Sequence, residues 1–511
     1  MRSKSTSQAA NGWRKRGDKM LTIQEIKTFI ENDRTSEKKR LARVGLRYYE
    51  ADHDIRGYRI FFVNADGKMQ EDLTKSNIKI SHPFFTELVD QEVQYMLSGK
   101  DGFVLSDDPD LQEQLDAYFN DNEDFTSELY ETLTGCISKG FEYMYAYKDE
   151  SGRTAFQCAD SMGVVEVEAK YAEDQKDHII YWYVERVDKN GKKVKRIQDW
   201  DDQQTYFYMQ IDDGQIVPDD SQKINPRPHA IYQKSGDDSI YFEGFGFVPF
   251  FRLDNCQKQF SGLKTIKGLI DDYDLMACGL SNNIQDTNEA LYVVRGFQGD
   301  NLDELMKNIK TKKHIGVDEG GDVEIRTVDI PVQARQTKLD LDEKNIYRFG
   351  MGFNSAQIGD GNITNIVIKS RYALLDLKCN KLEIRLKQFM RKLLRVVLKE
   401  INEEHGTDYQ MKDVYFNFER EVMTNAADNA QIKLTDAQKQ QVQISTLLNL
   451  STYLDSETLM QNICDILDID YNEIKDKLPA REGDDPYAAQ SALASVKTAD
   501  EGTDNGGDLI E

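Results

Sequence analysis

The chain has 511 residues and a formal charge of −25, with 65 Lys and Arg against 90 Asp and Glu. Its length accommodates about two to four domains, and 39% hydrophobic with 30% charged residues is a globular balance, not a disordered one. The acidic excess excludes a conventional nucleic-acid binder, which gathers Lys and Arg on phosphates and gains affinity from released counterions.

Residues 1–19 are basic and polar without an apolar stretch, so they are no secretory signal and read as a disordered extension. From Met20 the pattern turns helical: Ile23, Ile26, Phe29 and Ile30 recur at helix spacing and predict one helix over 21–50. HPFFTELVDQEVQYMLSG (82–99) predicts a second helix, nearly apolar and so buried, opened by Pro83 and ended by Gly99. A polar break, SDDPD (106–110), precedes helices over roughly 111–139. Between Phe141 and Phe251 the period becomes that of strands, with turns at Glu150-Ser151-Gly152, Asn190-Gly191 and Asp212-Asp213-Gly214. An antiparallel meander is expected, without the strand–helix alternation of a parallel nucleotide-binding sheet.

The stretch 254–402 carries the most information. A helix runs from Ser261 to about Ala290, roughly 45 Å long at 1.5 Å per residue. A small β–α–β–β insertion follows: LYVVRG, the helix DNLDELMKNIKTK, then HIGV and VEIRTVDI around Glu319-Gly320-Gly321. Pro331 opens another helix, and FNSAQIGDGNITN (353–365) is a loop by its Gly, Asn and Ser content. The next helix, of about 35 residues, far exceeds the mean of about 11 and needs neighbours along its whole length. DVYFNFER (413–420) reads as a strand with Val414, Phe416 and Phe418 on one face. Two or three helices then reach about 478, and after Pro479 an acidic, small-residue tail reads as disordered.

Catalytic signatures are missing. There is no GxxxxGK[ST], HExxH, GxSxG or GxGxxG after a strand, so no NTPase, metalloprotease or hydrolase centre is expected, and no cofactor or metal. The six cysteines, Cys136, Cys158, Cys256, Cys278, Cys379 and Cys464, lie far apart, which suggests neither zinc nor disulfides. No run of 18 or more apolar residues exists, so no membrane span is expected. Asp149–Gly152 and Asp188–Gly191 read as hairpin turns in preference to calcium loops. His53, His82, His178, His229, His314 and His405 show no ligand spacing and read as surface or capping residues. Asp271 and Asp272 point to different faces of a helix and read as solvated charge. Lys307, Lys310, Lys312 and Lys313 form a basic cluster that is either a solvated helix end or a contact for DNA phosphates or an acidic partner. A second stripe, Lys378, Lys381, Arg385, Lys387, Arg391, Lys392 and Arg395, lies on the long helix, where acidic neighbours on another subunit would absorb it.

The order helix, α/β insertion, helix, Gly/Asn loop, very long helix resembles the portal (head–tail connector) proteins of tailed bacteriophages, in the branch from long-tailed phages of Gram-positive bacteria. The strings that carry it are FFTELVDQEVQYMLSG, GFGFVPFFRLDN, IKGLIDDYDLMACGLSNNIQD, VDIPVQARQTKLDLDEKNIYRFGMG, IKSRYALLDLKCNKLEIRLKQFMRKLL and DVYFNFEREVMTNAADNAQ, in order over roughly 45–440. The resemblance implies an α+β, non-enzymatic subunit of a homo-oligomeric ring, typically of about twelve chains, at one capsid vertex. It implies a wing over 20–260, stem helices at 261–290 and 331–352, a clip at 291–330, and a tunnel loop at 353–366. A long wing helix at 367–402, a crown over 403–478 and the tail 479–511 complete the map. Double-stranded DNA would pass sequence-independently, with Asn354, Gln357, Gly359, Gly361, Asn362 and Asn365 facing it from the loop. An acidic lumen would let the duplex slide, leaving a few amide or basic groups to guide its backbone. The implied partners are the terminase large subunit, a head–tail adaptor, and the major capsid and scaffolding proteins, with assembly in the host cytoplasm. The alternatives are another oligomeric scaffold, or a metal-dependent nuclease whose carboxylates converge only in the fold.

Overall fold

The structure, a computed structural model, describes residues 20–99, 102–149, 151–168, 176–187, 189, 191–233, 239–286, 291–297, 301, 305, 317–326, 331–354, 365–420, 426–450 and 456–467. The chain divides into two units, residues 1–359 with 371–422 and residues 360–370 with 423–511.

In the larger unit, the helix expected over 21–50 is two: α1 (Ile23–Thr35) and α2 (Glu37–Tyr49). Ser36 makes the break, since its extended backbone ends α1 while its hydroxyl accepts from the Lys39 amide (3.3 Å) and starts α2. Short hydroxyl side chains favour such caps over helix interiors. Helix α3 (Phe84–Met96) lies where expected and buries Phe85, Leu88, Val89, Val93 and Met96. Asp108 caps α4 (Pro109–Leu115) by accepting two backbone amides at 3.0 Å, and Asn122 caps α5 (Glu123–Lys139), which ends at Gly140 with φ +99°.

The strands of residues 141–254 pair antiparallel throughout. One sheet has the order 250–254, 141–148, 154–159. The other runs 217–218, 204–211, 193–200, 176–187, 164–168, with 227–228 also on 204–211. Asp149 closes the 148–154 turn by accepting from the Ser151 and Arg153 amides, both at 2.9 Å. Asp188 and Asn190 lie outside the described residues. One face of the larger sheet buries Val165, Ile180, Ile197, Tyr206 and Tyr208 with Ile26 of α1. Lys39 fastens α2 to the same region, donating from a buried ammonium to the carbonyls of Ser161 and Val164 (2.7 Å for Val164) and pairing with Asp33 at 2.9 Å.

The helix expected from 261 to 290 is shorter. Ser261 caps a 3₁₀ turn, Gly262–Thr265, and only then does α6 (Lys267–Asp286) begin, with 20 residues in place of about 30. Strands Leu291–Phe297 and Val317–Arg326 pair antiparallel. The second strand runs through Glu319-Gly320-Gly321, where a turn was expected, and Gly320 at φ +92° helps it do so at a register shift. The helix expected between these strands lies outside the described residues apart from Asn301 and Leu305.

Helix α7 (Val332–Gly350) ends at Met351, whose φ is +57°. Helix α8 (Asn365–His405) has 41 residues, about 60 Å at 1.5 Å per residue. Its inner face, including Leu375, Leu382, Leu386, Phe389, Leu393 and Val397, joins Leu88, Val93, Leu129, Leu133 and Ile137 in the main core. The expected strand 413–420 is two residues long, Tyr415–Phe416, paired with Val104–Leu105. Val414 and Phe418 are buried beside it. In the smaller unit, α9 (Ala426–Asn449) packs on α10 (Ser456–Leu467), with Gln440 donating to the Ile466 carbonyl at 3.1 Å.

Candidate functional site

The two helices that flank the insertion lie side by side, and polar groups fasten them. Lys338 of α7 reaches Asp272 of α6 at 2.6 Å and also pairs with Asp342 of its own helix, which is buried. Lys267 bridges Asp54 and Asp271, both at 2.7 Å, and the Tyr48 hydroxyl donates to Asp271. Burial, then the bond to Asp271, raises the Tyr48 phenol above its ordinary range. Asp271 and Asp272 therefore serve as anchors of α6, not as the free surface charge the sequence implied.

Deeper in the joint, Asp274 is fully buried and holds two histidines. His53 Nδ1 lies 2.6 Å from one carboxylate oxygen, and His82 Nδ1 lies 2.7 Å from the other, which also accepts the His82 amide at 3.0 Å. Burial opposes ionisation of Asp274, but the bonds from His53 and His82 prevail and hold its carboxyl below the usual range. His53 Nε2 faces the Tyr48 carbonyl at 3.3 Å, and its ring stacks on Tyr48 at 4.5 Å. His53, His178 and His229 are all buried, so the surface role expected for them is wrong. Each gains a local partner: Asp274 for His53, Asp199 (2.9 Å) for His178, and the Trp200 ring (5.3 Å) for His229. Among the described residues no group of three His, Cys, Asp or Glu side chains is placed to hold a metal ion. No described helix is long and apolar enough to cross a membrane.

Residues 76–82 run beside α6 as a strap. The amides of Ser76, Ile78, Ile80 and His82 donate in turn to side chains of Asp286 (3.2 Å), Asn282 (2.7 Å), Cys278 (3.2 Å) and Asp274 (3.0 Å). Every second residue of the strap meets every fourth residue of the helix. The signal was present in the sequence: Asp274, Cys278, Asn282 and Asp286 recur at i+4, a polar stripe that a solvated-face reading passes over.

The root of the expected loop is built by α3. Tyr347 donates to Glu87 at 2.5 Å, while Gln91 donates to the Phe353 carbonyl (2.9 Å) and accepts its amide (3.3 Å). A Cβ at Gly352 would lie 2.3 Å from Leu88 Cδ2, and one at Gly350 would lie 2.6 Å from Leu88 Cδ1, so the chain passes α3 closely there. Asn354 donates to Glu343 of α7, which ties it to the helix end. Asn365 is the first residue of α8 and not a loop residue. Gln357, Gly359, Gly361 and Asn362 lie outside the described residues, as do Lys307, Lys310, Lys312 and Lys313.

Antiparallel sheets, a flanked pair of helices and a 41-residue helix are the frame here of a phage portal subunit, the class that the family match shows. The chain belongs to the family described as "Phage portal protein, SPP1 Gp6-like", whose model matches residues 27–472. The portal protein of Bacillus phage SPP1 is 29% identical over 352 residues, 68% of this chain and 67% of that protein. The portal protein of Clostridium phage phiCD119 is 24% identical over 432 residues, 81% of this chain and 89% of that protein. Both infect Gram-positive hosts, as the resemblance implied. A solved structure titled "Neck of native GTA particle computed with C12 symmetry" covers 75% of this chain and 89% of its own, at TM-score 0.36 and 10% identity, too distant to carry an argument. Portal proteins are structural components of the virion, and membership implies a ring oligomer associated with capsid and DNA.

Proposed function

We propose that about twelve copies of this chain close into a ring at one capsid vertex, through which double-stranded DNA enters during packaging and leaves at ejection. The observation that carries the reading is the family match over 27–472. In this reading residues 20–260 form the wing, α6 and α7 the stem, 291–330 the clip, and 353–366 the tunnel loop. Residues 367–402 are the wing's spine, 403–478 the crown, and 1–19 and 479–511 lie outside these parts. The clip docks the terminase large subunit and later the head–tail adaptor; capsid and scaffolding proteins meet the outside, and assembly takes place in the host cytoplasm. The chain is not an enzyme, and the hydrolysis that drives packaging belongs to the terminase.

A net charge of −25 supports sliding over gripping, because a duplex held by few cations keeps most of its counterions. Asn354, Gln357 and Asn362 are the weak amide contacts of the loop, Asn365 stands behind it at the start of α8, and Gly359 and Gly361 give the loop room to change shape. Lys307, Lys310, Lys312 and Lys313 touch phosphates or an acidic partner at the clip. Negative-stain micrographs of the purified chain test the ring directly. Deleting 354–362 should leave rings intact and abolish DNA packaging; loss of rings instead would refute the loop assignment.

A further inference from the structure

Among the described residues only one face of α8 is covered by the chain itself. The inner face is packed into the core, whereas Leu374, Leu377 and Ile384 on the outer face are 41%, 51% and 64% exposed. At about 100° per residue these three share a stripe with Lys381, Arg391 and Arg395, about 32 Å long from 374 to 395. Apolar residues normally occupy the inner face of a surface helix, and one that is apolar all round is a buried helix. Lys378 and Lys387, on the flank, pair with Glu92 (2.8 Å) and Glu383 (2.7 Å). Lys381, Arg391, Lys392 and Arg395 are exposed and form no ion pair among the described residues.

The sequence also holds the opposite pattern. Between Lys100 and Lys139 stand eleven Asp and Glu residues and not one Lys or Arg. Asp107, Asp110, Glu113, Asp121, Glu123 and Asp124 are exposed there and likewise form no ion pair among the described residues. A closed ring repeats a contact between two different patches, so each chain must carry both halves.

We propose that the outer stripe of α8 is one half of the contact between copies. Its apolar part is covered by the next chain, and its cations meet the acidic surface 107–124 of that chain. The inference rests on the ring reading above and says which surface closes the ring. Desolvating Leu377 and Ile384 supplies non-directional adhesion, and the charge match fixes which surfaces meet and in what register.

The test uses the full-length chain. Leu377→Asp with Ile384→Asp changes only outward side chains; it should keep the wild-type circular dichroism yet run at the mass of a single chain, with rings in micrographs reduced at least tenfold. If that pair fails to fold, Leu377→Ser with Ile384→Ser should give the same loss in a folded chain. Arg391→Glu with Arg395→Glu should also deplete rings, and adding Asp121→Lys and Asp124→Lys to the same chain should restore them. Native ring yield in the Leu377/Ile384 variants would overturn the proposal and leave the stripe to another partner. Failed rescue by the Asp121/Asp124 pair would overturn the acidic counterpart. A wild-type chain without rings would defeat the ring reading itself, a separate outcome.

Discussion

Two sets of contacts hold helices to the body of the larger unit, and they obey different physics. Helix α8 shares the main core with α3 and α5 through side chains such as Leu386, Phe389 and Leu393, a hydrocarbon contact indifferent to pH and salt that outweighs the Lys378–Glu92 ion pair on its flank. Helix α6 has three fully buried residues along its length, Ile270, Asp274 and Cys278, and only Ile270 is hydrocarbon. It is held by Asp271, Asp272 and Asp274, by His53, His82 and Lys338, and by the amides of the strap. Where packing fastens a helix, any displacement opens a void. Where hydrogen bonds fasten it, attachment depends on protonation and on alignment of a few atoms, so α6 is the helix that solution conditions can loosen.

The comparison breaks most sharply in the core. Phe389→Ala should cost about 3–5 kcal/mol, read as a fall in urea midpoint, with nearly the same cost at pH 5 and pH 8. Asp274→Asn should cost less, about 2 kcal/mol at pH 7, because two histidines lose a charged acceptor. Its cost should also depend on pH. The folded carboxyl titrates below its unfolded value of about 4, so its contribution is complete only well above pH 4 and is lost as the pH falls through the folded value. The gap between wild type and the Asn variant should therefore narrow as the pH falls below about 4; a gap that does not narrow with acid would show that packing, not the charge, fastens α6. The smallest effect is Asn282→Ala, about 1 kcal/mol for one strap bond, with local hydrogen exchange at Ile78 accelerated and the core amides unaffected.

Much of this architecture is legible in the sequence because apolar periodicity reports burial directly. Helix α3, the antiparallel pairing of 141–254 and the great length of α8 follow from Leu, Val, Phe and Tyr spacing. Breaks were harder. A single hydroxyl, Ser36, divides α1 from α2, and Ser261 converts the expected start of α6 into a 3₁₀ turn; apolar pattern does not register caps made by one oxygen. The joint was least visible. Nothing local in His53, His82 and Asp274 says that residues 221 and 192 positions away in the chain will meet. At the loop, the Gly and Asn content locates a connection, but the anchors Glu87 and Gln91 come from a helix more than 250 residues earlier.

The strap has a further consequence, arising from two incommensurate rulers. Two residues of extended chain advance about 6.6 Å, while four residues of helix advance about 6.0 Å. Across the three intervals from Ser76 to His82 the mismatch grows to about 2 Å, so the pairing behaves as a vernier that tolerates four marks and few beyond. Its phase is equally strict. Deleting one residue between 77 and 81 would turn the side chains on one side of the cut to the opposite face of the strap, whereas deleting two would restore the phase with one mark fewer.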